Sequence, residues 1–246
     1  MSNIIINPYL VSPSSPSFTN VYSMDCDGID DYAESADSMS TLGFGSTNTF
    51  SVSFWIKCTA APVSFDGFLG STTSINWNDG FGFYHAGNIL YFFVNHYNSN
   101  KASVPFTAAT TALNWNHIVG VYDGTLGSDN IKLYINGVVG TNDALTVNLT
   151  GTANEFEIGR MQVTGTSCMG AARYDETAIF NTALSASDVT AIYNSGTPAS
   201  LAAYSPVVWY RCGDGDTYPT LTDHGSASSD ATMYNMDAGD FQTDVP

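Results

Sequence analysis

Basic residues are scarce in this 246-residue chain: 6 Lys and Arg stand against 23 Asp and Glu, a formal net charge of −17 with His neutral. A nucleic acid or an anionic membrane demands clustered cations, which release counterions or meet headgroups. Neither is therefore an expected partner. The acidity serves solubility, or else calcium or a cationic partner surface. No apolar run reaches the roughly 18 residues that would mark a membrane-spanning helix, so membrane insertion is not expected. The opening Met1-Ser2-Asn3-Ile4-Ile5-Ile6-Asn7-Pro8 has no basic start, and its apolar stretch is too short for a signal peptide. Sec export is therefore not expected, and synthesis in a cytoplasm is. Cys26, Cys58, Cys168 and Cys212 form no C-x-x-C pair, and they read as buried free thiols of a reducing compartment. His85, His96, His117 and His224 lack an H-x-x-x-H or H-E-x-x-H spacing, and there is no G-x-S-x-G elbow or Gly-rich phosphate loop.

The chain does have apolar material for a large core, 43% hydrophobic and 13% aromatic residues. Its pattern is that of strands. Phe50, Val52, Phe54 and Ile56 alternate with Ser51, Ser53, Trp55 and Lys57, the period of a half-buried strand. Phe81 and Phe83, then Leu90, Phe92 and Val94, flank the turn Ala86-Gly87-Asn88 and predict a hairpin. Trp115, His117, Val119 and Val121 share one face. Ile131, Leu133 and Ile135 run into Asn136-Gly137, the pair favoured in a type I′ turn. Further strands are predicted at Phe156 to Ile158 and Ala172 to Phe180. One helix is predicted, with Ser185 as N-cap, Asp188 at the third helical position, a Leu184/Val189 staple, and Gly196 past its end. Many short strands and one helix predict an all-β, two-sheet antiparallel sandwich or jelly roll. Its expected core contains Phe50, Val52, Phe54, Trp115, Val119, Val121, Leu133 and Ile135, with Trp115 as the inter-sheet anchor.

The run Met24-Asp25-Cys26-Asp27-Gly28-Ile29-Asp30-Asp31-Tyr32 is followed by Phe50-Ser51-Val52-Ser53-Phe54-Trp55-Ile56-Lys57 and by Trp115-Asn116-His117-Ile118-Val119-Gly120-Val121-Tyr122-Asp123-Gly124. Lys132-Leu133-Tyr134-Ile135-Asn136-Gly137 and Tyr174-Asp175-Glu176-Thr177-Ala178-Ile179-Phe180 complete the order, before Ile192-Tyr193-Asn194-Ser195-Gly196. Together they resemble the laminin-G-like, concanavalin A-like jelly roll over about residues 21–198. Residues 1–20, rich in Ser, Pro and Asn, read as an N-terminal arm, and 199–246 as a C-terminal tail segment. These ends resemble those of tailed-bacteriophage structural proteins. That resemblance implies a non-enzymatic virion component, a decoration or binding module attached to capsid or tail through its two ends within a homo-oligomer or larger assembly. The alternative is a carbohydrate-binding lectin module that adheres to host glycans.

Asp25, Asp27, Asp30 and Asp31 are the densest group of hard oxygen ligands and are candidate calcium ligands, with turn capping as the competing reading. By resemblance, where the first strand meets a late one, Asp175 joins that calcium set. Related glucanases carry an E-x-D-x-E-like run. Glu155-Phe156-Glu157 is the near match here and lacks a third acid, so no catalytic residue is assigned and hydrolysis is not expected. Asp175 and Glu176 are expected on opposite faces of a strand. For a sugar, the candidates are Trp77, Asn78, Asp79, Tyr84 and Tyr97, aromatic plates and hydrogen-bonding groups in or beside loops; packing of the same aromatics onto the sandwich or a neighbouring chain is the other reading.

Overall fold

The computed structural model describes residues 18–45, 47–145, 147–161 and 168–246. The strands in chain order begin with β1 (Ser23–Cys26), β2 (Tyr32–Ser38), β3 (Thr49–Cys58), β4 (Asp66–Ser71), β5 (Phe81–Ala86) and β6 (Ile89–Val94). Next come β7 (Lys101–Pro105), β8 (Asn116–Asp123), β9 (Ile131–Ile135), β10 (Val138–Val139), β11 (Glu155–Ile158) and β12 (Arg160–Met161). The last are β13 (Cys168–Met169), β14 (Ala172–Phe180), β15 (Val208–Tyr210), β16 (Thr220–Leu221), β17 (Ala231–Tyr234) and β18 (Phe241–Gln242), with the helix α1 (Ala186–Tyr193) between β14 and β15.

Two antiparallel sheets face each other. The first runs β10-β9-β8-β3-β14-β1-β18, with β15 beside β14, and the second runs β16-β17-β2-β11-β4-β5-β6-β7. The alternation in β3 places Phe50, Val52, Phe54 and Ile56 in the core between the sheets, where Phe81, Phe83, Leu90, Phe92 and Val94 meet them from the second sheet. Phe54 packs edge-on against Phe83, with ring centroids 4.9 Å apart. The expected hairpin turns form: Gly87 and Asn88 have φ of 61° and 66°, and Asn136 and Gly137 have 52° and 79°.

The other face of β3 is also buried, so this is not the half-buried strand that its alternation implies. Helix α1 lies outside the first sheet. Its capping box has the Asp188 N–H donating to Ser185 Oγ at 3.2 Å and the Ser185 N–H donating to Asp188 Oδ2 at 3.0 Å. Val189 and Ile192 then pack with Val119, Val121, Tyr134, Ala178 and Trp209. The helix ends on Asn194 in the left-handed conformation, φ 46°, two residues before Gly196, because Asn tolerates that backbone well.

Two sequence expectations need correction. Trp115 is not the inter-sheet anchor. It is half-buried and donates from Nε1 to Asp244 Oδ1 at 3.2 Å; the face it shares with His117, Val119 and Val121 is the outer one. Residues 199–246 are not an appended tail. β15 pairs with β14, β17 with β2, and β18 with β1, and Val208, Tyr210, Leu221 and Met233 join the central core. Their apolar runs are too short to show a period, and the partners they bury against lie far away in the chain. Of the expected N-terminal arm, residues 1–17 lie outside the described residues, and 18–20 pack here: Phe18 lies under the Arg211 guanidinium at 4.5 Å.

Candidate functional site

Alternation gives the second sheet a face of its own, turned away from the core. While Leu90, Phe92 and Val94 of β6 point inward, Tyr91 and Phe93 point outward. Strand register aligns Lys101, Phe93, Gly82, Gly70, Glu157, Glu34 and Thr232 in one row across that face. A parallel row contains Ser103, Tyr91 and Tyr84. Met161 lies over the two glycines at the centre of the first row, where a Cβ on Gly82 would meet its sulfur at 2.2 Å. The face is thereby divided into an aromatic end and an acidic end.

At the aromatic end Tyr84 stacks on Tyr91 with centroids 5.0 Å apart, and Trp77 lies 5.5 Å from Tyr84 and 5.7 Å from Tyr97. Phe65 adds a ring parallel to Tyr84 at 6.3 Å. Main-chain and side-chain bonds fix the group: the Tyr97 N–H donates to the Trp77 carbonyl at 3.0 Å, and Tyr84 Oη donates to the Tyr97 carbonyl at 3.0 Å. Lys101 Nζ stands 4.6 Å from the Tyr91 centroid and donates to Tyr84 Oη at 3.2 Å. Burial pushes the Tyr84 phenol up and the Lys101 ammonium down, the latter opposed by Asp143.

The structure thus brings Trp77, Tyr84 and Tyr97 together, in a different role from exposed plates for the first two. Trp77 is 4% and Tyr84 2% exposed, so they form the floor. The accessible surface is Phe65, 49% exposed, with half-buried Tyr91 and Tyr97 and exposed Asn78 and Asn98. Asp79 is occupied in its own loop, accepting from Thr72 Oγ1 at 2.6 Å and from the main-chain N–H of Thr73 and Ser74. Those donors hold its carboxyl below the usual range, against the opposing effect of burial. Phe65, Tyr91 and Lys101 were missed in the sequence. Tyr91 was findable, as the outward position between Leu90 and Phe92.

At the acidic end Glu157 is 1% exposed and accepts at Oε1 from Arg160 Nε at 2.9 Å. The same guanidinium reaches Glu34 Oε2 at 3.4 Å and covers the Tyr32 ring at 3.3 Å. Burial, outweighing Arg160, pushes the Glu157 carboxyl up to about 7. Glu155 aligns with Ser38 and not with this row. A glycosidase requires two carboxyl groups open to a scissile bond; here Arg160 holds both Glu157 and Glu34.

The acidic residues proposed for calcium separate into three places. Asp25 accepts from Arg173 Nε at 3.1 Å. Asp175, fully buried, accepts from Asn20 Nδ2 at 2.8 Å. A bulge at Asp175 and Glu176, where Glu176 has φ 45°, turns both toward the N-terminal segment and Arg211 instead of to opposite faces. Asp27, Asp30 and Asp31 do gather, with ligand atoms within 4.8 Å of one another. Asp27 Oδ1 accepts the Ile29 N–H at 2.7 Å, and Asp31 Oδ2 accepts the Asp27 N–H at 3.1 Å. Turn capping and crowded oxygen donors coexist there. Calcium takes six to eight oxygens, so three carboxylates fit it with water or carbonyl oxygens completing the shell.

Residues 27–190 match the Laminin_G_3 family, described as the concanavalin A-like lectin/glucanases superfamily. The chain belongs to that superfamily. No curated protein matches it in sequence. A candidate carbohydrate binding protein from Bacteroides ovatus has a similar fold, with TM-score 0.66 and 13% identity over 93% of this chain and 62% of that one. A heptameric SAP-like pentraxin from Limulus polyphemus is similar at TM-score 0.53 and 15% identity, over 71% of this chain and 82% of the pentraxin. At these identities the likeness is one of fold. Superfamily membership accounts for the two-sheet frame, while the aromatic end is built from this chain's own loop and strand residues.

Proposed function

We propose that the chain is a non-catalytic recognition module that holds a carbohydrate on the aromatic end of its second sheet. The observation that carries this reading is the aromatic group in which Phe65 and Tyr91 each lie nearly parallel to Tyr84 and Tyr97 stands edge-on to Trp77, with Asn78 and Asn98 exposed beside it. Aromatic faces cover the apolar face of a sugar ring, and amide groups bond its hydroxyls. The Bacteroides protein's carbohydrate-binding description supports the same ligand class. Arg160, bound to Glu157 and Glu34, supports the absence of hydrolysis.

A glycan array followed by calorimetry tests the reading. Binding by the wild type should be lost in Phe65→Ala/Tyr97→Ala with an unchanged melting temperature. Equal binding by that variant, or none by the wild type across the array, would reject it.

Calcium at Asp27, Asp30 and Asp31 is a second part of the proposal, supported by the proximity of their carboxylates. Assembly into an oligomer and a virion location form a third. The virion location is supported by the resemblance of the chain's ends alone, and attachment then falls to residues 1–20, since 199–246 lie in the sandwich. Occupancy of a 1–16 deletion on assembled particles tests it; full occupancy would remove the arm as an anchor.

A further inference from the structure

We infer that the aromatic shelf selects glycans bearing a carboxylate, with Lys101 as the selecting group; the inference rests on the carbohydrate reading of the same shelf. Cations are few in this chain and most are committed. Lys57 pairs with Asp244, Arg160 with Glu157 and Glu34, Arg173 with Asp25 and Asp244, and Arg211 with Glu176 and Asp214. Lys101 and Lys132 have no ion pair among the described residues, and Lys132 lies on β9 of the other sheet. Lys101 alone stands on the shelf.

With 23 acidic residues in the chain, an ammonium without a carboxylate partner is a matter of placement. The nearby acid, Asp143, is turned to the main chain, accepting the Lys101 N–H at Oδ2, 2.9 Å, and the Ala144 N–H at Oδ1, 2.8 Å. The Lys101 side chain is laid instead over Tyr91 and bonded to Tyr84 Oη. That hydroxyl donates its own proton to the Tyr97 carbonyl, which orients its lone pairs to the ammonium and leaves the other ammonium protons available. A ring stacked on the shelf carries its substituents within reach of this partly desolvated charge. A carboxylate would form a charge-assisted hydrogen bond there, and a hydroxyl would form only a neutral acceptor's bond. The rest of the surface, strongly negative, repels an acidic glycan, so binding of one would depend on this position.

The test is calorimetry of the full chain with uronic acid oligosaccharides, each paired with its carboxyl-reduced neutral form. The wild type should bind the acidic member roughly tenfold more tightly, the scale of one charge-assisted bond. Lys101→Gln should abolish that preference, with affinity for the acidic member falling roughly tenfold more than affinity for its neutral form, and Lys101→Arg should retain it. Equal wild-type affinity for both members, or a preference that survives in Lys101→Gln, would overturn the inference and leave the carbohydrate reading intact. Absence of binding to either member and to the whole array would instead reject the carbohydrate reading, and this inference with it.

Discussion

Gly120 of β8 and Phe83 of β5 meet across the core with no room for a methyl group between them: a Cβ on Gly120 would lie 2.6 Å from Phe83 Cζ and 2.8 Å from the Phe92 ring. Phe83 and Phe92 are themselves stacked, 4.7 Å apart, so neither can yield independently. In an open strand Gly→Ala stabilises by restricting the unfolded chain; here overpacking decides the sign. Gly120→Ala should destabilise by about 1–3 kcal/mol, seen as a lower urea midpoint at unchanged slope. An unchanged or higher midpoint would mean that the sheets lie further apart.

What could be read from the sequence, and what could not, follows from the range of the interactions. The Ser185/Asp188 cap and the Asn136-Gly137 turn are local chemistry, and both formed as expected. The alternation of Trp115, His117, Val119 and Val121 was correctly placed on one face, but a period of two does not say which face is covered by what. Helix α1 and Trp209 cover it from outside, so Val119 and Val121 are buried without joining the sheet-to-sheet core. The pairing of β17 with β2 joins Thr232 to Glu34, and no local pattern announces such a partner. The aromatic shelf was half legible. Trp77, Tyr84 and Tyr97 were marked by residue type, whereas their exposure depended on how the loops folded over the strands.

The pH dependence of stability should be opposite to ordinary acid denaturation over the mildly acidic range. Burial raises Glu157 and Glu176 to about 7 and Asp31 to about 6. From about pH 4 to 7 the unfolded chain has released these protons while the native chain still holds them, so stability falls as pH rises through that window. His117 works the other way. Fully buried, with Nε2 2.8 Å from Ser53 Oγ, it is pushed down to about 3 by burial; the unfolded imidazole takes up its proton below about 6.5, which removes stability as pH falls. Three carboxyls against one imidazole predict a higher urea midpoint at pH 5 than at pH 7.5. His117→Asn, where it folds, should steepen that difference. A midpoint that drops steadily from pH 7.5 to 5 would show that these carboxyls are solvated.

Calcium should act through Asp31. Its carboxyl is raised first by burial, then by Asp27, Asp240 and Asp30, against the Asp27 N–H bond that lowers it. A cation among the three carboxylates would relieve the crowding and stabilise only the folded state. Millimolar calcium should therefore raise the melting temperature of the wild type at pH 7.5, and a chelator should reverse the gain. Asp31→Asn keeps an oxygen for the Asp27 N–H, so it should melt above the metal-free wild type at pH 7.5, lose that advantage near pH 4, and respond less to calcium. A wild-type melting temperature indifferent to calcium would leave the Asp27 to Asp31 turn as capping alone.

Deleting residues 199–246 should prevent folding. Without β17 the edge of β2 loses the partners of Ser35, Glu34, Ala33 and Tyr32, and without β15 the second half of β14 loses one of its two neighbours. The core would lose Val208, Tyr210, Leu221 and Met233 at once, and truncating even one such large side chain costs about 2–5 kcal/mol against a typical total of roughly 5–15 kcal/mol. The final residues act more gently. Asp244 accepts from Lys57 Nζ at 2.7 Å and from Trp115 Nε1 at 3.2 Å, and contacts Arg173. These donors hold its carboxyl below the usual range although burial opposes them, so its contribution is present above about pH 4 and lost as pH falls through the native value. Because the group is partly solvated, Asp244→Asn should lower the melting temperature by only a few degrees at neutral pH. The paired measurement is circular dichroism of both proteins: a cooperative melt for the 1–198 fragment would show that the C-terminal strands are dispensable to the sandwich.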